Sequence, residues 1–163
     1  MGIRITLEWY EYSIAAEVGK LRTMTAIRHG IPSKYGASSN AWTDDIEGAA
    51  AEMAVAKYLG VYWGGSMETF KAADISEKIQ VRQTKYESGR LIVRSEDRDD
   101  HVYVLVTGTI PNLTIHGWIE GSEAKQDIYL DAPNDRPPAY FIPQSQLQPI
   151  EILQTLTGTR SSN

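Results

Sequence analysis

The 163-residue chain contains no cysteine, which excludes a disulfide framework, a thiolate zinc site, a cysteine nucleophile and redox chemistry through protein thiols. That composition fits a reducing, cytoplasmic setting. Long apolar runs are missing as well: no stretch approaches the ~18 residues of a membrane span. The opening "MGIRITLEWYEY" has neither the apolar run nor the charge asymmetry of a signal peptide. His29, His101 and His116 stand far apart and none has a second histidine at i+3 or i+4, so a zinc-protease helix is absent. "YWGGSMETF" lacks the spacing of a phosphate loop, which disfavours a nucleotide-binding fold, and no G-x-S-x-G elbow occurs. Basic residues are the minority, 16 against 21 acidic, and the net charge of −5 argues against a general nucleic-acid coat protein. It leaves room for an enzyme with a local basic groove, because carboxylates that hold divalent metals lower the net charge without altering a basic rim.

With 42% hydrophobic and 23% charged residues, the chain has the balance of a globular protein. Its length suits one core, so a single domain over residues 1–157 and a flexible tail over 158–163 are expected. "IRITLEWYEY" alternates as a half-buried strand does, and Ser13 to His29 carries apolar residues at spacings of three and four, a helix closed by Gly30 and Pro32. "PSKYGASSNAWT" reads as a loop. In "DDIEGAAAEMAVAKYLG", Asp44 and Glu47 match a capping box and Gly60 a C-cap, giving a helix from about Asp45 to Leu59. Strand-like runs follow at 61–63, 68–75, 78–86, 90–95, 102–108 and 113–119, then a short helix in "EGSEAKQDIYL", a loop in "APNDRPPA", and a last strand and helix in "YFIPQSQLQPIEILQTL". "VYVLV" is apolar on both faces, as a central strand covered by helices on both sides would be. The expected class is α/β with a mixed sheet.

Four tryptophans, Trp9, Trp42, Trp63 and Trp118, either stack on bases or close a core edge. Glu47 is explained by its cap. Glu52 instead shares a stripe with Ala49, Met53, Ala56 and Leu59, so its carboxylate faces the protein and calls for a basic side chain, a metal or a water network, unless it sits at a boundary. Asp74 stands near a strand end, before the turn-like "ISEK", and Gln80 and Arg82 project from one face of the next strand. If those strands pair as a hairpin, a carboxylate, an amide oxygen and a guanidinium converge. Such a set holds either a hard cation and a phosphate or a salt-bridged hairpin. The basic series Arg82, Lys85, Arg90, Arg94 and Arg98 could line a DNA groove, and its interleaved acids make a solvated surface an equal reading.

Glu52 on "GAAAEMAVAKYLG", then Asp74, then Gln80-x-Arg82, resembles the PD-(D/E)XK nuclease superfamily, most of all its small bacteriophage-encoded members. The likeness continues through "GRLIVRSEDRDDHVYVLVTG", "IHGWIEGSEAKQ" and "PPAYFIPQSQL", about Asp44 to Pro149. The resemblance implies a restriction-endonuclease-like core, a central mixed β-sheet flanked by helices, and a DNA endonuclease dependent on Mg2+ or Mn2+. Glu52, Asp74 and Gln80 would be its metal ligands and, with Arg82, its catalytic residues; Lys85, Arg90 and Arg94 would contact DNA, the implied partner, and a homodimer stays open. Gln80 stands where the family has a glutamate and Arg82 where it has a lysine. An amide binds a cation more weakly than a carboxylate, and a guanidinium steadies charge without serving as a base. The other outcome is a nuclease fold that binds DNA or protein with little or no catalysis.

Overall fold

A computed structural model describes residues 2–31, 40–67 and 73–158. Strand β1 (Ile3–Thr6) leads directly into helix α1 (Trp9–Arg28), which starts four residues earlier than its apolar period suggests. The reason is local: the Glu8 backbone N–H donates to the Glu11 carboxylate at 2.8 Å, as in a capping box, and this pulls Trp9 to Tyr12 into the helix. Helix α2 (Ala41–Leu59) also begins early, because Asn40, not Asp44, is its cap; Asn40 Oδ1 accepts from the Thr43 N–H at 3.3 Å. The expected capping box at Asp44 and Glu47 is therefore not the helix start, and Ala41, Trp42 and Thr43 are helical, not loop. Glu47, two turns in, accepts from the Ile110 N–H at 3.0 Å instead. Gly60 does close α2, in the left-handed conformation at φ 68° that glycine adopts without steric cost.

The apolar residues that reveal α1 are not those it buries. Ile14, Met24 and Ile27 are exposed, and the buried stripe is Ala15, Gly19 and Thr23, at a spacing of four. These small side chains let α1 lie close on α2: a Cβ on Gly19 would collide with the Ile46 backbone.

Beyond α2, residues 61–63 form no strand, and 68–72 of the expected 68–75 strand lie outside the described residues. Among the described residues the expected hairpin shows one bridge, Ile75 to Ile79, across a tight turn with Ser76 at φ 53°. Strand β2 (Ile79–Thr84) pairs parallel with β4 (Val102–Thr109). The main sheet has the order β1, β5 (Asn112–Glu120), β4, β2, with antiparallel pairs elsewhere, so it is mixed, as expected. A smaller antiparallel sheet joins β3 (Leu91–Val93), β7 (Ala139–Ile142) and β6 (Leu130–Asp131). Helix α3 is one turn, Gly121–Ala124, and α4 spans Ile150–Gly158; the rest of the expected tail, 159–163, is outside the described residues.

β4 is buried on both faces, but long helices cover only one of them. Val104 and Val106 pack with the alanine-rich α2 and with Ile150 and Leu153 of α4. Tyr103 and Leu105, on the other face, pack with Leu91, Val93 and Ile142 of the small sheet and with Ala124 of α3. The expectation of helices on both sides thus gives way to an α/β/β layering around one strand. Trp63 and Trp118 pack at the edge of the first core, whereas Trp9 and Trp42 are exposed.

Candidate functional site at the edge of β2

β2 is the terminal strand of the main sheet among the described residues, which give one side of it no strand partner. Asp74 fills part of that side: its Oδ2 accepts from the Val81 N–H at 2.7 Å. Burial, and then the negative charge of Glu52, push the Asp74 carboxyl from its ordinary 3.8 up to about 7, against the pull of the Val81 hydrogen bond, Arg82 and Arg22. The charge of Glu52 is thus felt at Asp74.

Glu52 is 5% exposed and its partner is a basic side chain, one of the alternatives its burial demanded. Arg22 of α1 donates from both terminal nitrogens to the two Glu52 oxygens at 2.5 and 2.9 Å, and from Nε to the Ser66 carbonyl at 2.8 Å. The Trp63 indole N–H adds a bond to Glu52 Oε1 at 3.2 Å. Sequence reasoning missed both residues as partners of Glu52. The only signal for Arg22 was its place beside the Ala15, Gly19 and Thr23 stripe, on the turn of α1 that faces α2.

Alternation along β2 separates the remaining candidates. Val81 packs toward α2, so Gln80 and Arg82, in register with Tyr103 and Leu105, project from the opposite face. Gln80 Nε2 lies 3.4 Å from His101 Nδ1. The Arg82 guanidinium bonds Asp97 at 2.9 Å and sits 5.2 Å over the Tyr103 ring, while its buried Nε has no hydrogen-bond partner among the described residues. Asp97 is itself a hub: the same oxygen accepts from the Arg94 N–H at 2.7 Å, and Lys125 holds its carbonyl. Among the described residues, no three His, Asp or Glu side chains are arranged to hold a metal ion.

A cleft of about 880 Å³ runs along β2 from Val81, and Glu52, Asp74 and Gln80 are not among the residues that line it. Its floor is β2 from Val81 onward; one wall is the start of α2, with Asp44, Asp45 and Glu47. The other is β3 and its flanks, where Arg90, Ile92 and Arg94 face the cleft and the alternate residues Leu91 and Val93 are buried. Arg82, Lys85, Arg90 and Arg94 therefore line one space, whereas Arg98 turns to Asp100 at 2.8 and 2.9 Å. Arg90 stacks 4.8 Å over Phe141, and Lys85 lies 5.2 Å over the ring of the exposed Tyr86. No family model, curated protein or solved structure matches the chain.

Proposed function

We propose that the protein hydrolyses phosphodiester bonds in DNA with a divalent cation, on a restriction-endonuclease-like core. One observation supports the reading: Asp74, bonded to the Val81 N–H at the edge of β2, feels the negative charge of Glu52. Two like charges held together in a half-buried place are a cost that a cation offsets. The donor set suits Mg2+ or Mn2+, which take oxygen ligands, need one or two carboxylates and complete their shell with water and substrate phosphate. When bound, such an ion supplies a Lewis acid and an activated water.

Asp74 and Glu52 would hold the ion, Asp74 with its orientation fixed by the Val81 N–H. Lys85, Arg90 and Arg94, along the cleft, would seat the DNA backbone. Arg82 would steady charge on the phosphate through its fork, without taking a proton. Gln80 would add an amide oxygen only by turning from His101 toward the edge.

A second reading keeps the fold and the cleft as a binding module without cleavage. The Arg22 pair favours it, because Glu52 is satisfied there without a metal. Incubation of plasmid, branched and single-stranded DNA with Mg2+ or Mn2+ separates the two. Cation-dependent cleavage that falls roughly a hundredfold or more in Asp74→Asn is expected. Equal activity in Asp74→Asn removes this site, and salt-sensitive DNA binding that survives chelator without cleavage selects the binding module.

A further inference from the structure

We propose that α1 is a homodimer interface, through which two copies of the chain pair antiparallel about a two-fold axis. The proposal is independent of the chemistry at β2. The face that α1 turns to α2 carries Ala15, Gly19 and Thr23. The face directly opposite carries Ile14, Glu17, Leu21, Met24 and Arg28, at alternating spacings of four and three, the seam along which two helices pack knobs into holes. Ile14 and Met24 are 55% and 51% exposed, Ile27 beside them is 66% exposed, and Leu21 is half-buried. An apolar stripe of this kind, flanked by charge, marks a surface that another molecule covers.

Charge complementarity identifies the occupant as a second copy. In a two-fold antiparallel pair, the register that sets Glu17 level with the partner's Arg28 also sets Leu21 level with the partner's Met24, and the symmetry repeats both layers in reverse order. One register thus joins opposite charges and apolar side chains together. A parallel pair does neither well, because it sets Glu17 on the partner's Glu17 and Arg28 on the partner's Arg28, and like charges face to face are costly. Glu17 holds Lys20 of its own helix at 2.8 Å, but both side chains are exposed, and such a pair contributes little that an interface must replace. The helix has 20 residues, a length of ~30 Å, which accommodates these layers. A single helix pair is small for a stable complex, so a dissociation constant on the order of 10 μM is expected.

The test is the oligomeric state of the full chain, measured by sedimentation velocity over roughly 1–300 μM. Wild type is expected to pass from monomer to dimer within that range. Glu17→Arg sets two guanidinium groups against each other in both symmetry-related layers, and Arg28→Glu sets two carboxylates there. Each variant alone should therefore weaken the dimer by roughly tenfold or more. Mixed in equal amounts, the two variants regain opposite charges in every such layer and should dimerise as wild type does. The double swap of Glu17→Arg with Arg28→Glu should restore self-association in one chain, and recovery of either kind shows that the variants fold. Met24→Asp, which buries an unpaired carboxylate in the seam, should abolish the dimer. A wild type that stays monomeric throughout overturns the proposal. So does a dimer unmoved by Met24→Asp, or charge reversals that neither the mixture nor the double swap repairs.

Discussion

Asp74 in the folded chain ionises near pH 7, whereas in the unfolded chain it ionises near its ordinary 3.8. A carboxyl raised in this way retains its proton in the folded state over a range where the unfolded state has lost it. The contribution of this one carboxyl to stability is therefore most favourable below about pH 4, falls as pH rises toward 7 and is flat above, the reverse of a salt-bridged carboxylate. Asp74→Asn should remove that slope and raise the melting temperature at neutral pH, with a gain of about a few kcal/mol. Thermal melts from pH 4 to 8 check this, and parallel slopes in both proteins would show that Asp74 is not the source. At this scale the burial of Glu52 was legible, because a charged residue that shares a helical stripe with alanine, methionine and leucine is carried inward with them. The identity of its partner was not, since Arg22 lies thirty residues away on another helix and no local pattern ties the two.

α1 shows how an element can be read correctly and its buried face missed. Spacings of three and four reveal a helix wherever apolar residues recur, yet the face that packs was chosen by size, because only Gly19 lets the α1 backbone reach Ile46. Two glycines make the point testable. Gly19→Ala should destabilise by about 1–3 kcal/mol through overlap with Ile46, although alanine favours a helix by about 1 kcal/mol. Gly48→Ala in α2, where an added Cβ meets nothing, should stabilise by about 0.5–1 kcal/mol. Urea midpoints would report both, and a stabilised Gly19→Ala would refute the close approach. The main strands β4 and β5 were likewise legible from alternation and apolar runs. The parallel pairing of β2 with β4 was not, nor was the small sheet, because their partners are distant in sequence and the runs at β3 and β7 are only three and four residues long.

Taken whole, the molecule is acidic, yet it gathers Arg82, Lys85, Arg90 and Arg94 along one cleft whose opposite wall is acidic. Under the nuclease reading, replacing Lys85, Arg90 and Arg94 together by alanine should weaken DNA binding across sequences and flatten the plot of log affinity against log salt by about 3. An unchanged slope in a salt titration would place DNA elsewhere. The cleft could be suspected from sequence only as a basic series with a competing solvated reading; it took the alternation of β3 to aim Arg90 and Arg94 into one space while Arg98 turned away. The open side of β2 bears on association as well. A strand edge unpaired among the described residues invites a second chain to add to it, and Asp74 occupies the Val81 N–H that such a chain would use. The residue proposed to hold a cation is thus also a guard against aggregation through the sheet edge. Asparagine keeps that acceptor and alanine loses it, so the amide variant isolates the chemistry from self-assembly.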